Sequence, residues 1–134
     1  MRVLIAESQS RVRFALRVTV ERHEELSGVS EVSDARELLS QTGAMHPDLL
    51  LLDWELTGAA PDTVGRLREL CPRLYIIALS EKDQAREAAL KAGVDVFVSK
   101  AEPPERLLAA LKEYGKPQPD PRELAASPEP ASPQ

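Results

Sequence analysis

Charged and hydroxyl side chains stand directly after several of the most apolar runs of this 134-residue chain. Asp53 follows four leucines in DLLLLDWELTG, residues 48–58. Glu7 follows RVLIA, Ser80 ends LYIIALS, and Lys100 ends DVFVSK. Burying a carboxylate such as that of Asp53 costs free energy unless a neighbouring group neutralises it or uses it. These side chains therefore form a candidate functional site, provided that the fold brings them together.

The elements that must position them alternate along the chain. Short runs rich in Val, Ile and Leu are typical of strands buried on both faces of a sheet. They lie at residues 2–6, 49–52, 74–79 and 95–98, with a weaker edge strand at 29–32. Five helical stripes follow them: Val12, Leu16, Thr19 and Val20; Ala35, Leu38, Leu39 and Thr42; Val64, Leu67 and Cys71 after Pro61; Ala85, Ala88, Ala89 and Ala92; and Leu107, Leu108, Leu111 and Tyr114 after Pro103 and Pro104.

Local signals agree with these helices. Asp34 and Glu37 have the spacing of a capping box, and Gly93 is a C-cap signal for the fourth helix. Strand–helix order repeated five times with short links predicts an α/β fold, with a five-stranded parallel sheet covered by helices on both faces. In such folds sites lie beyond the carboxyl ends of the strands, which is where Asp53 stands.

Composition excludes several classes of protein. A single cysteine, Cys71, excludes a disulfide framework and a cysteine-rich zinc site, and it favours a cytoplasmic location. The formal net charge is −5 and the basic residues are scattered, so we expect no direct nucleic-acid binding. Since no apolar run is long enough for a bilayer, we expect no membrane insertion. The glycines form no phosphate-cradling loop, and we expect no enzyme that acts on a diffusible substrate.

The C-terminal segment differs from the rest of the chain. Six of the 11 prolines lie in the last 18 residues, together with one leucine and no aromatic residue. Such a segment buries too little to order itself. We therefore expect a folded domain at residues 1–115 and a Pro-rich, disordered tail at 116–134, with a docking peptide or a linker as the alternatives.

The segments VLIAES, DLLLLDWELTG, IIALS and AGVDVFVSK, in this order and at these spacings, resemble the receiver domain of bacterial two-component response regulators. The resemblance covers residues 1–115 and implies a flavodoxin-like (CheY-like), doubly wound, three-layer α/β/α fold. It implies that Asp53 accepts a phosphoryl group from a histidine kinase or a small-molecule phosphodonor. Lys100 would pair with the phosphoryl oxygens, the Ser80 hydroxyl would hydrogen-bond them, and Phe97 would be the aromatic switch.

The resemblance also implies partners and a metal. Mg²⁺ would be held by acids at the end of the first strand and by Asp53. The output would pass to a downstream protein partner, and a homodimer would form on the face of the fourth helix, fifth strand and fifth helix. If the chain is full length, signalling would proceed through protein contacts.

Several positions depart from the family pattern. Ser8 stands where the family has a second acid, which leaves Glu7, Asp53 and Lys100 with a local charge of −1 and predicts Mg²⁺ binding weaker by about 1 kcal/mol or more. Ser8 would instead cap the first helix. Glu55 either replaces the lost carboxylate as a ligand or is an exposed loop acid. The other departures are Thr57 in the turn, Glu81 after Ser80, and Ala101 in place of a proline after Lys100.

Each site residue also has a simpler interpretation. Asp53 would cap a loop, Lys100 would be a surface lysine, Ser80 would be a turn or N-cap residue, and Phe97 would belong to the core. Two functional classes remain open. The chain is either a receiver switched by phosphorylation of Asp53 or a phosphorylation-independent pseudo-receiver that acts as an interaction module.

Overall fold

The computed structural model describes residues 1–58 and 62–115, which form five strand–helix units. Pro61 and the tail at 116–134 lie outside the described residues. The elements are β1 (Arg2–Ala6), α1 (Ser10–Val20), β2 (Gly28–Val32), α2 (Ala35–Met45), β3 (Leu49–Asp53), a 3₁₀ turn (Trp54–Thr57), α3 (Asp62–Leu70), β4 (Tyr75–Ser80), α4 (Ala85–Ala92), β5 (Val96–Ser99) and α5 (Pro104–Gly115). The predicted order of elements is confirmed.

All strand pairs in the sheet are parallel, and the strand order is β2-β1-β3-β4-β5. β1 thus has β2 on one side and β3 on the other. This reversal of strand order between β1 and β3 is the point at which doubly wound sheets open a crevice at their carboxyl ends. The predicted doubly wound fold and the edge position of β2 are confirmed.

The bounds of four strands, β2 to β5, differ by one residue from the sequence prediction. β3 continues through Asp53, which pairs with Leu79. β4 begins at Tyr75 and includes Ser80, which pairs with Ser99 of β5. Backbone pairing thus extends one residue beyond the predicted ends of β3, β4 and β5, whereas β1 and β2 end where predicted. Because Asp53 and Ser80 are held in the sheet itself, their side chains are positioned by the ladder and not by a loop.

Two hydrophobic cores hold the helices on the sheet. Alternate leucines of β3 face opposite sides, since side chains alternate along a strand. Leu50 and Leu52 pack with α2, α3 and α4, whereas Leu49 and Leu51 pack with α1 and α5. All four are fully buried, and each contributes about 2 kcal/mol of transfer free energy. This arrangement explains the run of four leucines and confirms the three layers.

The helix caps agree with the sequence in two cases. The Asp34 carboxylate accepts the Glu37 N–H at 2.8 Å and caps α2. Glu37, however, accepts the N–H of Ser33 at 3.0 Å, so the capping box is displaced by one residue. Gly93 ends α4 in the left-handed conformation, with φ 111°.

The capping role expected for Ser8 is wrong. Gln9 is the N-cap of α1, and no side chain caps that helix. Ser8 is exposed one residue earlier. Over the described ranges, none of the helices has the length and apolar character needed to cross a membrane.

Candidate functional site

The carboxyl ends of β1, β3 and β5 bring three charged side chains together. Lys100 Nζ lies 2.9 Å from Glu7 Oε1 and 3.1 Å from Asp53 Oδ1. The backbone fixes these positions, because the Glu7 N–H donates to Val32 O and the Lys100 N–H donates to Ser80 O at 2.8 Å. The structure therefore joins residues that are 47 positions apart in the sequence.

This triad is buried. The side chains of Glu7, Asp53 and Lys100 are 0%, 4% and 11% exposed. Glu7 Oε2 accepts the Gln9 N–H at 3.1 Å. Glu7 Oε1 contacts Lys100 as an ion pair without hydrogen-bond alignment, and among the described residues it has no hydrogen-bond partner. With two carboxylates and one ammonium, the triad carries a net charge of −1.

Burial and charge act in opposite directions on these groups. Burial raises the pKa of Glu7, although the Lys100 ammonium and the Gln9 N–H oppose it. Burial by itself lowers the pKa of Lys100, but the carboxylates of Glu7 and Asp53 outweigh it and the net pKa is raised. Lys100 therefore remains a cation at neutral pH and supplies the positive charge of the pocket.

Asp53 has a second role in the backbone. Its Oδ1 also accepts the Glu55 N–H at 3.2 Å, so Asp53 caps the 3₁₀ turn that follows β3. The loop-capping interpretation and the pocket interpretation therefore both describe real contacts. Because both contacts use Oδ1, neither of them engages Oδ2, the second oxygen of the carboxylate.

Ser80 lies beside the triad and contacts Glu55. The Ser80 hydroxyl donates to Glu55 Oε2 at 2.8 Å and accepts the Lys82 N–H at 3.0 Å. Ser80 is fully buried, and Glu55 belongs to the exposed residues. The sequence placed Ser80 and Glu55 near the same pocket but did not predict this pair, since neither residue pattern nor spacing fixes the side-chain orientation of a residue in a short turn.

The acidic groups offer only part of a metal site. Carboxylate oxygens are the ligands that hard divalent cations prefer, and Glu7 Oε1 is a buried acceptor without a hydrogen bond. Ser8 supplies no carboxylate, and the Glu55 carboxylate is held by Ser80. In the ranges 1–58 and 62–115, no three His, Cys, Asp or Glu side chains converge as metal ligands. The buried carboxylates of Glu7 and Asp53 are therefore the acidic groups of the described site that Ser80 does not hold.

Phe97 lies in the core on the side of α4. It is 2% exposed, and the Arg86 guanidinium carbon stands 4.8 Å from the centroid of its ring. This cation–π contact covers the ring in its inward position. Phe97 is therefore a core residue, and the structure leaves its switch role a prediction.

A groove of about 770 Å³ opens between α1 and α5, next to the triad. Lys100 and Glu81 line its polar end, and Val12, Ala15 and Leu107 line its apolar part. Glu7, Asp53 and Ser80 are not among its lining residues. The groove is thus a neighbour of the pocket and shares only the lysine with it.

Comparison with known proteins identifies relatives of the whole folded region. The family model for the response regulator receiver domain matches residues 3–112. The nitrate/nitrite response regulator protein NarL of Escherichia coli is 28% identical over 112 residues, which are 81% of this chain and 52% of NarL. The chain therefore spans about half the length of this curated relative.

Solved structures agree with the fold. RcsB from Salmonella enterica serovar Typhimurium, solved bound to the promoter rprA with phosphomimetic BeF3-, has a TM-score of 0.75 at 23% identity, covering 93% of this chain and 72% of that one. A CheY-like receiver domain protein from Methanospirillum hungatei has a TM-score of 0.71 at 22% identity, covering 84% and 90%. At these identities the likeness concerns the fold.

Proposed function

The chain belongs to the response regulator receiver domain family, and from this we propose that it is a phosphorylation switch with Asp53 as its phosphoacceptor. Receiver domains are signalling modules of two-component systems. The observation that carries the proposal is the buried Asp53 carboxylate at the end of β3, with the Lys100 ammonium 3.1 Å from its Oδ1. A carboxylate and an ammonium group thus lie together where the fold opens its crevice, which supports the proposal.

The chemistry follows from these groups. The Asp53 carboxylate attacks the phosphorus of the donor in line, a P–O bond to Asp53 forms, and the bond from phosphorus to the leaving group breaks. Repulsion between the carboxylate and the anionic donor opposes the approach. Lys100 offsets part of this charge and would pair with the phosphoryl oxygens, and Ser80 would hydrogen-bond them.

Receiver domains generally bind Mg²⁺ at their acidic pocket. In this chain Glu7 and Asp53 would hold the ion weakly, because Ser8 provides no charged ligand and Glu55 would join them only by releasing Ser80. When bound, the ion would supply further positive charge against the repulsion between acceptor and donor. Lys100 already neutralises one of the two buried carboxylates, which reduces the charge available to attract a cation.

The partners are part of the same proposal. A histidine kinase or a small-molecule phosphodonor supplies the phosphoryl group, and a downstream protein receives the signal. A homodimer would use the face formed by α4, β5 and α5. Leu90 on α4 is 45% exposed, and its substitution by serine tests that face. The receiver domain at residues 1–115, the absence of catalysis on a diffusible substrate and the cytoplasmic location remain predictions.

A phosphorylation-independent pseudo-receiver is the second candidate. Ser8 in place of an acid and the engagement of Ser80 by Glu55 favour it, since both reduce the readiness of the pocket for a phosphoryl group. In that case the fold acts as an interaction module, and the state of Asp53 does not affect partner binding.

Intact-mass spectrometry after incubation with phosphoramidate and Mg²⁺ distinguishes the phosphorylation switch from the pseudo-receiver. For a switch we expect the wild-type protein to gain the mass of one phosphoryl group slowly and Asp53→Asn to gain none. Partner affinity and oligomeric state should then differ between the two proteins only after the donor is added. Equal partner binding together with no mass gain at any Mg²⁺ concentration, even with the cognate kinase, would establish the pseudo-receiver instead.

A further inference from the structure

The Ser80 hydroxyl is already committed in the unphosphorylated chain. A hydroxyl has one proton to donate, and that of Ser80 goes to Glu55 Oε2 at 2.8 Å. Its oxygen also accepts the Lys82 N–H at 3.0 Å, which orients the hydroxyl further. Since Ser80 is fully buried, water does not compete for this proton as it does at an exposed serine. Ser80 therefore cannot donate to a phosphoryl oxygen until Glu55 releases it.

Glu55 is held in place for this contact by the acceptor residue. Its N–H donates to Asp53 Oδ1 at 3.2 Å, and its carbonyl oxygen accepts the Gly58 N–H at 3.2 Å. Gly58 has φ 60°, a left-handed conformation that ends the 3₁₀ turn. The turn thus anchors the Glu55 backbone through its N–H and its carbonyl oxygen, and the side chain reaches Ser80. One residue touches both the phosphoacceptor and the hydroxyl that would respond to it.

We propose that Glu55 is a positioning residue that holds the Ser80 hydroxyl in the unphosphorylated state. The consequence for signalling rests on the proposed function: a phosphoryl group on Asp53 places negative charge beside the Glu55 N–H and repels the Glu55 carboxylate. The Glu55 carboxylate then moves away from Ser80. The Ser80 hydroxyl donates its hydrogen bond to a phosphoryl oxygen instead. Because Glu55 competes for the Ser80 hydroxyl, a larger fraction of the chains must be phosphorylated on Asp53 before the switch occurs.

The hold itself is tested without phosphorylation. The Ser80 χ1 angle, measured by NMR couplings in metal-free protein, should be a single rotamer in the wild type and should average between rotamers in Glu55→Ala. Glu81→Gln is the matched control, because it removes an exposed acid next to Ser80 that makes no hydrogen bond to the hydroxyl in the described structure, and it should leave χ1 unchanged. An unaltered Ser80 rotamer in Glu55→Ala overturns the proposal.

The consequence is tested with beryllium fluoride, a phosphoryl mimic, at a Mg²⁺ concentration that saturates every variant, and binding is followed by Trp54 fluorescence. The half-saturating concentration should fall about tenfold in Glu55→Ala, as expected for the loss of one competing charge-assisted hydrogen bond. Glu81→Gln should change it by much less. In a Ser80→Ala background the Glu55→Ala effect should disappear, because the two residues then share no contact.

These measurements keep the two proposals separate. If Glu55→Ala improves binding equally with and without Ser80, its effect is general charge repulsion, and the positioning role is wrong. If no variant takes up the mimic or gains phosphoryl mass, while Ser80 χ1 still depends on Glu55, the phosphorylation switch is wrong. The positioning of Ser80 by Glu55 is then still supported.

Discussion

Replacing Lys100 by alanine should destabilise the fold by an amount that depends on pH. The change leaves Glu7 and Asp53, 0% and 4% exposed, without the cation that lies 2.9 Å and 3.1 Å from them. Breaking a buried ion pair costs about 3–5 kcal/mol, and we take the lower end, about 3 kcal/mol, since Lys100 retains some exposure. At roughly 4 °C per kcal/mol for a domain of this size, the melting temperature should fall by about 12 °C.

The sign of the pH effect follows from Glu7. Burial raises the folded-state pKa of Glu7 above its ordinary value of 4.5, and losing Lys100 raises it further. A carboxyl with a raised pKa binds protons more tightly when folded, so stability falls as pH rises from the unfolded pKa to the folded pKa. The loss caused by Lys100→Ala should therefore be larger at about pH 7.5 than at about pH 5, because lower pH favours the protonated, uncharged form of Glu7.

Urea denaturation of wild type and Lys100→Ala at both pH values, without divalent cations, measures this difference. Lys91→Ala is the matched control, because it removes the same charge from an exposed position on α4 and should change stability by less than about 0.5 kcal/mol. A loss below about 1 kcal/mol at neutral pH, or an equal loss at both pH values, would refute the buried triad as described.

Three further changes test other parts of the structure. Ser8→Asp should tighten Mg²⁺ binding about tenfold in a titration followed by Trp54 fluorescence, whereas Ser8→Asn should not; tight binding by the wild type, unchanged in Ser8→Asp, would contradict the impaired site. Asp34→Ala should cost about 1 kcal/mol in urea denaturation through the lost α2 cap, and no loss would mean that the 2.8 Å bond to Glu37 contributes nothing. Gly93→Ala should cost about 1–2 kcal/mol at φ 111°, and a thermal melt equal to wild type would show that the backbone relaxes there.

The fold was predictable because the strands are buried on both faces. Such strands are nearly continuous apolar runs, as in the four leucines of β3, and the alternation with helical stripes then determines a parallel sheet. The strand ends were missed by one residue, since Asp53 and Ser80 are polar although their backbone groups still pair. A polar residue marks the end of the apolar run in the sequence. The backbone hydrogen bonds between strands nevertheless continue for one more residue, to the site.

The site was predictable in its members but not in its contacts. Asp53, Lys100 and Glu7 meet because the carboxyl ends of β1, β3 and β5 lie at one edge of the sheet, which the topology requires. The Ser80–Glu55 hydrogen bond depends on the 3₁₀ turn and on a side-chain rotamer, which no spacing in the sequence encodes. The capping role expected for Ser8 failed for a similar reason, because α1 begins one residue later than the pattern suggested.

The most direct test of the central claim is to locate the phosphoryl group on the chain. Borohydride reduces an aspartyl phosphate to homoserine, so peptide mass spectrometry after treatment with phosphoramidate, Mg²⁺ and borohydride identifies the modified residue. We predict homoserine at position 53 in the wild type, much less of it in Lys100→Ala, and none at any position in Asp53→Asn. Homoserine at another aspartate, or equal modification in Asp53→Asn, would contradict Asp53 as the phosphoacceptor.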